Sequence, residues 1–382
     1  MTRLGSNMAR TGLSRLSDAE ALQLYRSCTI HELGRRAHEV TMRLHPEPYR
    51  TYVVDRNINY ANYCTARCIF CNFKADPPGM ASGRRDLPDG YILSHAEIGR
   101  KIEELLAIGG TQVLMQGGLV PAELLPFEWY LDLLRFIKRE YPGVHIHAFS
   151  PPEIHAFHEI FGMSVREVLL RLREAGLDSI PGGGAEILVD GVRRRTAQGK
   201  TTTGEYLQVM REAHRIDMRT SITMMFGHVE TIPERVEHLR RIRELQDETG
   251  GFTAFICWTF QPGETPLGRV RPFPPEHQGP PDGRHLVLAH AAEYLRMLAL
   301  ARLYLDNVPN IQSSWVTQGP KVGQLALFFG ANDMGSVMME ENVVSAAGTT
   351  YRLSEQEIRR AISAAGWAPR RRNFYYDPIE LI

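Results

Sequence analysis

The sequence predicts an α/β fold, namely a (β/α)8 barrel of the TIM type with a helical N-terminal extension. The main observation is that strand-like and helix-like segments alternate from about residue 51 to residue 335. Six such units follow one another and two further candidates come after them, which favours a closed eight-stranded barrel over a six-stranded partial barrel. The 382 residues, of which 43% are hydrophobic, suffice for one barrel with additions.

Each element is assigned from its residue pattern. Apolar residues that alternate or run together predict strands, and capping pairs such as Ser94 with Glu97 mark the starts of helices. The predicted strands are residues 51–59, 111–116, 144–149, 178–180, 220–226, 251–258, 310–316 and 330–333. The predicted helices of the barrel are residues 94–108, 127–140, 164–175, 203–216, 233–248, 286–305 and 320–328.

Two regions flank the predicted barrel core, which spans residues 51–335. Residues 1–50 are expected to form the N-terminal helical extension, and residues 336–382 a C-terminal helical segment and tail. We expect the basic run from Arg370 to Arg372 to be solvated, because isolated charge runs usually are. Stretches rich in Gly and Pro are predicted to be surface loops: residues 75–90 and 272–283.

Charge and cysteine content narrow the class of protein. Lys and Arg together number 44, as do Asp and Glu, so the formal net charge is zero. Such a balance argues against attraction to nucleic acid or to a membrane surface by the field of the whole protein. An odd count of five cysteines gives no disulfide framework, which favours a reduced, cytoplasmic location. We find no apolar segment with the length of a signal-peptide core or of a membrane span.

Three of the five cysteines lie in one short loop after the first predicted strand. Cys64, Cys68 and Cys71 have the spacing C-x3-C-x2-C, with Phe70 directly before the last cysteine. Thiolates select iron–sulfur clusters, zinc or copper. Structural zinc needs four protein ligands, and no further Cys or His follows until His95. A [4Fe–4S] cluster held by three cysteines leaves one iron open to a ligand such as S-adenosyl-L-methionine (SAM). Zinc and a purely redox-active cluster remain the alternatives.

Glycines and histidines follow or occupy the next strands, where such barrels carry their chemistry. Gly117 and Gly118 come directly after the second strand and would let a ligand approach the backbone closely, although an ordinary turn would look the same. His145 and His147 share one face of the third strand, opposite an apolar face, and are expected to face the lumen. His147 is the stronger candidate for a ligand contact, and the alternative is a buried, hydrogen-bonded histidine.

Two carboxylates follow the fourth and fifth strands. Glu186 ends the run Pro-Gly-Gly-Gly-Ala-Glu, and three successive glycines cost backbone entropy that close ligand approach would explain. We expect Glu186 to contact SAM or substrate, with a carboxylate at a helix start as the alternative. His228 and Glu230 are candidate hydrogen-bonding or proton-transferring groups, with a surface-loop pair as the alternative. Polar or aromatic residues that suit a sugar-containing ligand follow strands six and seven: Trp258, Gln261, Pro262, Gln312, Ser314 and Thr317.

The motifs together resemble a known family. The cysteine loop, with Phe70 in the aromatic position, is similar to that of the radical SAM superfamily. Further segments resemble the menaquinone-pathway branch of that superfamily: Met115-Gln-Gly-Gly-Leu, His145-Ile-His-Ala-Phe-Ser-Pro-Pro-Glu, Asp178-Ser-Ile-Pro-Gly-Gly-Gly-Ala-Glu and Met224-Met-Phe-Gly-His-Val-Glu. Three segments look most like the cyclic dehypoxanthine futalosine synthases: Gly251-Phe-Thr-Ala-Phe, Asn310-Ile-Gln-Ser-Ser-Trp-Val and Gly330-Ala-Asn-Asp-Met-Gly-Ser. The resemblance covers about residues 30–366; the loop 75–90 is longer than the family leads us to expect.

The resemblance implies a mechanism. A reduced [4Fe–4S] cluster on the three cysteines would cleave SAM to methionine and a 5'-deoxyadenosyl radical. That radical would abstract the ribose C4' hydrogen of dehypoxanthine futalosine, and the carbon radical would add to the benzoate ring. Loss of an electron and a proton would restore the aromatic ring, with Glu186, His228 or Glu230 as the expected proton acceptor. The expected cofactor-binding residues are Phe70, Gly117, Gly118, His147 and Glu186, and an electron donor such as flavodoxin or ferredoxin is implied.

Three alternatives stay open on the sequence. The sister aminofutalosine synthase adds the adenosyl radical to an enolpyruvyl benzoate, and a synthase of the deazaflavin type is related to both. A non-catalytic iron–sulfur or zinc protein would cleave no SAM. An enzyme that modifies nucleic acid is disfavoured by the zero net charge.

Overall fold

The computed structural model describes residues 15–84, 86–269, 285–340 and 342–379, so the predicted loop 272–283 lies outside the described residues. The strands are β1 (Tyr49–Val53), β2 (Asp55–Ile58), β3 (Arg67–Cys68), β4 (Gln112–Met115), β5 (His145–Ala148), β6 (Ala197–Gln198), β7 (Thr220–Phe226), β8 (Phe252–Thr259), β9 (Asn310–Gln312), β10 (Asp333–Ser336) and β11 (Ala368–Arg371). The helices are α1 (Asp18–Ser27), α2 (Ile30–Leu44), α3 (His95–Ala107), α4 (Phe127–Glu140), α5 (Pro151–Phe161), α6 (Val165–Ala175), α7 (Asp190–Thr196), α8 (Thr203–Arg215), α9 (Ile232–Thr249), α10 (Ala291–Tyr304), α11 (Trp315–Gln318), α12 (Pro320–Leu325) and α13 (Glu355–Ala364).

The parallel strands form a closed ring. β1 and β2 follow one another as the first barrel strand, and β2 pairs with β4, which pairs with β5. The fourth barrel strand is short: Ser179 bridges His147 of β5, and Ile180 bridges Thr220 of β7. β7 pairs with β8, β8 with β9, β9 with β10, and β10 returns to β1. Eight strands are therefore paired all the way round, which confirms the predicted (β/α)8 barrel.

The helices cover the ring with apolar faces, as their sequence patterns predict. In α3 the buried residues Ile98, Ile102 and Leu105 recur at helical spacing, and Ser94 and Glu97 form the capping box. The predicted 94–108 and the observed His95–Ala107 differ by one residue at each end. The sequence assignment missed α5 and α7, and it began α10 five residues too early.

The two N-terminal helices pack against the outside of the barrel. Leu33 and Ala37 of α2 form a small buried cluster with Ala299 of α10. The Tyr25 hydroxyl of α1 donates a hydrogen bond to Glu293 of α10, 3.2 Å away. Within the ranges that the structure describes, no helix has both the length and the apolar character needed to cross a membrane.

The C-terminal segment closes the amino-terminal end of the barrel, so the prediction of a solvated basic tail is wrong. β11 lies parallel to β1 and pairs with it. Arg371 forms an ion pair with Glu355, and the guanidinium Nε of Arg372 donates to Asp333, 2.6 Å away. Arg372 is buried and Asp333 is completely so. Of the three arginines only Arg370 is exposed, because carboxylates of the fold hold the other two.

Replacing Arg372 by Ala should destabilise the fold. The substitution would leave the carboxylate of Asp333 buried without its cation, and breaking a buried pair in this way costs about 3–5 kcal/mol. Urea unfolding should show a loss of this size in the free energy of unfolding. The control Arg370→Ala removes an exposed guanidinium of the same segment and should change that free energy by less than about 0.5 kcal/mol. Equal stability of the two variants would contradict the assigned role of the pair.

Candidate active site

A cavity of about 410 Å³ runs through the barrel. Cys64, Cys68, Cys71 and Glu186 line it at the carboxyl ends of the strands. Phe374, from the C-terminal segment, lines it at the opposite end. We call the end of the cavity at the carboxyl ends of the strands, where the cysteines lie, the mouth. The opposite end, to which the C-terminal segment contributes Phe374, is called the floor.

Backbone pairing holds the cysteine loop in place. Cys68 lies in β3, which pairs antiparallel with Ala197 in β6, after α7. The backbone N–H of Leu119 donates to the sulfur of Cys64, 3.3 Å away. Burial raises the pKa of the Cys68 thiol to about 12 in the metal-free chain. Metal binding must therefore remove this proton, since the thiolate is the ligand form.

The three cysteines suit a polynuclear cluster better than a single ion. A single metal ion draws its ligands to one point, with Zn–S distances of about 2.3 Å. Among the described residues no group of three His, Cys, Asp or Glu side chains is arranged to hold one metal ion. A [4Fe–4S] cluster takes one cysteine per iron, so its ligands stand further apart around one wall. Three thiols of one loop that face the same cavity match this requirement.

Gly117 and Gly118 allow close packing against the cysteine loop. A Cβ on Gly118 would lie 2.1 Å from the carbonyl oxygen of Tyr63 and 2.8 Å from the Cβ of Cys64. A Cβ on Gly117 would lie 2.5 Å from the ring of Tyr60. The N–H of Gly117 donates to Glu153 and that of Gly118 to the carbonyl of Ala61. Both N–H groups are thus already paired, and the two glycines bring the turn and the loop together.

His147 lines the lower half of the cavity. Its Nδ1 lies 2.7 Å from the hydroxyl of Ser179, and its Nε2 lies 3.4 Å from that of Ser221. Burial is the main reason that the pKa of His147 falls well below its ordinary value, so the imidazole is neutral. His145 shares Ser179 as a partner at 2.7 Å but does not line the cavity. The buried, hydrogen-bonded histidine described as the alternative is thus present, and His147 also faces the lumen.

Glu186 stands at the cavity mouth on a left-handed backbone. Its φ is 39°, and Gly184, two residues earlier, has a φ of 85°. The Lys200 ammonium group lies 2.9 Å from its Oε1, and an Arg193 guanidinium nitrogen lies 3.6 Å from its Oε2. Arg193 also donates to the carbonyls of Gly184 and Ala185, which fixes the turn. Oε2 of Glu186 is buried without a hydrogen-bond partner. A buried carboxylate oxygen in this state suits a ligand that brings a hydroxyl or ammonium donor.

His228 and Glu230, which the sequence suggested as hydrogen-bonding or proton-transferring groups, are not among the residues that line the cavity. Glu230 accepts hydrogen bonds from the backbone N–H groups of Gly227 and His228, and from Arg235 at 2.7 Å. His228 Nε2 lies 3.1 Å from the carbonyl of Met225. Both residues are fully buried, and their polar atoms are used within the loop after β7. They stabilise this loop, and the geometry gives them no path to a ligand in the cavity.

The polar lining predicted after strands six and seven is largely in place. All but one of the six residues line the cavity: Trp258, Gln261, Gln312, Ser314 and Thr317. Pro262 is the exception, since it lies outside the lining. Phe70 also lines the cavity, and the Lys200 ammonium lies 5.5 Å from the centre of its ring.

Lys200, Glu153 and Asp55 are three of the charged lining residues that the sequence analysis did not assign. Lys200 has no motif of its own and acquires its role only through its distance from Glu186. Glu153 accepts from the Tyr60 hydroxyl at 2.6 Å, and its spacing from Ser150 was a visible capping-box signal. Asp55 accepts from Gln112 at 3.1 Å, and burial raises its pKa. In the sequence, the only indication that Asp55 lines the cavity was the presence of an acidic residue within an apolar strand pattern.

Comparison with family models assigns most of the chain. Residues 58–242 match the radical SAM superfamily, and residues 249–382 match the CofH/MqnC C-terminal region. The second match includes β11 and the segment that closes the barrel floor.

Relatives with three different names are similar over nearly the whole chain. The chain is 43% identical to a cyclic dehypoxanthine futalosine synthase of Halalkalibacterium halodurans, over 96% of this chain and 92% of the relative. It is 38% identical to a 5-amino-6-(D-ribitylamino)uracil--L-tyrosine 4-hydroxyphenyl transferase of Methanopyrus kandleri, over 92% and 90%. It is 37% identical to an aminodeoxyfutalosine synthase of Thermus thermophilus, over 96% and 93%.

The barrel is also similar to a solved structure. The crystal structure of methylornithine synthase (PylB) superposes with a TM-score of 0.69 and covers 95% of this chain and 96% of that one. At 18% sequence identity this likeness concerns the fold alone.

Replacing Cys68 by Ala should abolish cluster assembly. The variant would keep two of the three thiols that face the cavity, so iron and acid-labile sulfide should fall to background after anaerobic reconstitution, together with the visible absorbance. Cys28→Ala is the matched control, because Cys28 lies at the end of α1, away from the cavity. The control should retain full iron content. A Cys68→Ala protein with normal iron, sulfide and turnover would refute the assignment of the loop.

Replacing Glu186 by Gln should weaken the use of SAM or substrate while iron content stays unchanged. Hydrogen bonds to charged groups contribute about 1.5–3 kcal/mol, so KM for one of the two ligands should rise roughly tenfold to a hundredfold. Glu205→Gln, at the exposed start of α8, is the control and should leave both KM values unchanged. Unchanged kinetics in Glu186→Gln would return Glu186 to a purely structural role.

Proposed function

Because the chain belongs to the radical SAM superfamily, we propose that it is the enzyme that converts dehypoxanthine futalosine to cyclic dehypoxanthine futalosine in menaquinone biosynthesis. The observation that carries this proposal is the 43% identity to the Halalkalibacterium halodurans synthase over nearly the full length of both chains. The cofactors are a [4Fe–4S] cluster and SAM, as in other members of the superfamily. Cys64, Cys68 and Cys71 are the residues that would hold the cluster.

When bound, the reduced cluster and SAM supply a 5'-deoxyadenosyl radical that abstracts hydrogen from the substrate. The chain must hold both small ligands in contact and keep water out, because such a radical reacts with whatever is nearest. A barrel lumen closed at its floor by the C-terminal segment supports this requirement. Hydroxyl and amide groups on the wall, including Gln312, Ser314 and Thr317, suit the sugar hydroxyls of the substrate.

Of the three residues that the sequence suggested as proton acceptors, Glu186 is the one that the geometry leaves as a candidate. It lines the cavity, and one carboxylate oxygen has no hydrogen-bond partner within the protein. Lys200 and Arg193 are the cations that would balance its charge. His228 and Glu230 use their polar atoms within their own loop. A contact between Glu186 and SAM at the mouth is the alternative role, and it is the role to expect if the aryl ring, which loses the proton, lies towards the floor. The kinetics of Glu186→Gln separate the two roles.

An electron donor and a reducing compartment complete the proposal. Reduction of the cluster requires a one-electron donor, for which a flavodoxin or a ferredoxin is the proposed partner. A reducing, cytoplasmic location suits both an oxygen-sensitive cluster and five unpaired thiols.

The aminodeoxyfutalosine synthase reaction is the second candidate. The Thermus thermophilus relative of that name is 37% identical over a similar share of both chains, so overall likeness separates the two activities by only a few percentage points. The two reactions differ in whether the adenosyl group ends in the product or leaves as deoxyadenosine.

An anaerobic assay of the reconstituted, reduced protein with SAM and dehypoxanthine futalosine tests the proposal. Mass spectrometry should find a product lighter than the substrate by two hydrogens, with 5'-deoxyadenosine formed alongside. A parallel reaction with enolpyruvyl benzoate should give no adenosyl adduct. Such an adduct would instead establish the second candidate, and the Cys68→Ala protein is the control for radical chemistry in both reactions. A protein with a full cluster that forms none of these products would refute the proposed function.

A further inference from the structure

The C-terminal segment, residues 368–377, contributes side chains to the cavity in an alternating pattern. Arg372, Phe374 and Tyr376 line the cavity. Tyr375, between the last two, is 52% exposed. Residues 374–376 form a turn after β11, in which the backbone N–H of Tyr376 donates to the carbonyl of Asn373, 3.3 Å away, and this turn directs Phe374 and Tyr376 to the lumen and Tyr375 towards solvent. The segment is therefore part of the wall of the site.

Buried polar contacts fix the position of this segment. Arg372 is held by Asp333 and also donates to Oε1 of Gln312, 3.2 Å away. The guanidinium carbon of Arg372 lies 3.8 Å from the centre of the Tyr376 ring. The backbone N–H of Arg372 donates to the carbonyl of Tyr52 in β1. Phe374 thus projects from a backbone that is tied to β1 directly and to β9 and β10 through Arg372.

Phe374 forms an uncharged aromatic platform with two histidines. Its ring is stacked on that of His145 at 4.7 Å with an interplanar angle of 16°, and it lies 4.7 Å from the ring of His147. Burial lowers the pKa of His145 to about 4, and that of His147 also lies well below its ordinary value. Both rings are therefore neutral at pH 7. An apolar or aromatic group is the ligand chemistry that such a surface accepts.

The platform faces the cysteine loop from the far end of the cavity. His145 begins β5, whereas the cysteine loop follows the end of β2, so the two sites lie at opposite ends of parallel strands. A substrate between them has one side towards SAM and the other towards Phe374. In the proposed reaction the sugar must meet the adenosyl radical on one side and the aryl ring on the other. The aryl ring is then the part directed towards the floor.

We propose that Phe374 is a specificity-determining residue that contacts the aryl part of the substrate and sets the depth at which the substrate sits. This inference rests on the proposed function for the identity of the substrate. It adds that the C-terminal segment positions the substrate, whereas the cofactors are held at the other end of the cavity.

Kinetics of Phe374→Ala and Phe374→Trp test the inference. The matched control is Arg370→Ala, which changes an exposed residue of the same segment that does not line the cavity. Phe374→Ala removes the floor contact, so KM for dehypoxanthine futalosine should rise about tenfold, the equivalent of roughly 1.4 kcal/mol. The ratio of 5'-deoxyadenosine to cyclised product should rise, because a loosely held substrate reacts less often with the adenosyl radical. Phe374→Trp places a larger ring at the floor and makes the cavity shallower, so kcat/KM for dehypoxanthine futalosine should fall as well. KM for SAM and iron content should stay near wild-type values, whereas the unfolding midpoint of Phe374→Ala should fall, because removal of a buried ring leaves a cavity. Arg370→Ala should behave as wild type.

Unchanged substrate KM and unchanged deoxyadenosine-to-product ratio in both Phe374 variants would overturn the inference. If Phe374→Ala fails to retain its cluster, Phe374→Leu keeps the apolar volume without the aromatic face and should show a smaller rise in KM. Wild-type protein that forms no cyclised product would instead refute the proposed function. The variants would then be compared on enolpyruvyl benzoate, whose aryl group poses the same test. Equal KM values for wild type and variants on that substrate would again overturn the role of Phe374.

Discussion

The carboxylate of Asp333 is the contact on which the lower half of the structure depends. It accepts from the hydroxyl of Thr51 at 2.6 Å, from the Arg372 guanidinium and from the N–H of Gly335. Three parts of the chain meet there: the first barrel strand, the last barrel strand and the C-terminal segment. The ion pair of Asp333 with Arg372 is costly to desolvate, and its role is to hold these three parts of the chain in one arrangement. Barrel closure and the shape of the cavity floor are thus fixed by the same group.

Close backbone packing imposes the corresponding constraint at the upper end. Gly118 lies against the cysteine loop, and a Cβ on Gly182 would lie 2.6 Å from the Cα of Ile222 in β7. These approaches bring the turns after the second and fourth barrel strands close to the thiols. The negative charge of Glu186 there is compensated by Lys200 and by the nearby Arg193. A site that excludes water suits ligands that must react with one another before they react with water.

The sequence predicted the barrel well because periodicity and capping are local signals. The cysteine loop and the run that ends at Glu186 were visible for the same reason. Lys200 and Asp333 could not be assigned, because their roles depend on partners far away in the chain. Arg372 was misread as part of a solvated tail, since its partner lies 39 residues earlier in sequence. His228 looked like a site residue by position, but the loop after β7 turns its polar atoms inward.

The comparisons indicate where differences in substrate must be sought. Relatives named for three reactions are 37–43% identical to this chain over more than nine-tenths of its length, so the fold does not separate them. In the proposed function the cysteine loop at the mouth of the barrel serves the cofactors, and the substrate lies between the mouth and the floor. Differences in substrate would then be met by the residues below the mouth. The floor is built by a segment that follows the last barrel strand. Phe374 makes neither the pairing of β11 with β1 nor the contact of Arg372 with Asp333, so a different side chain at this position can change the depth of the cavity while the ring stays closed.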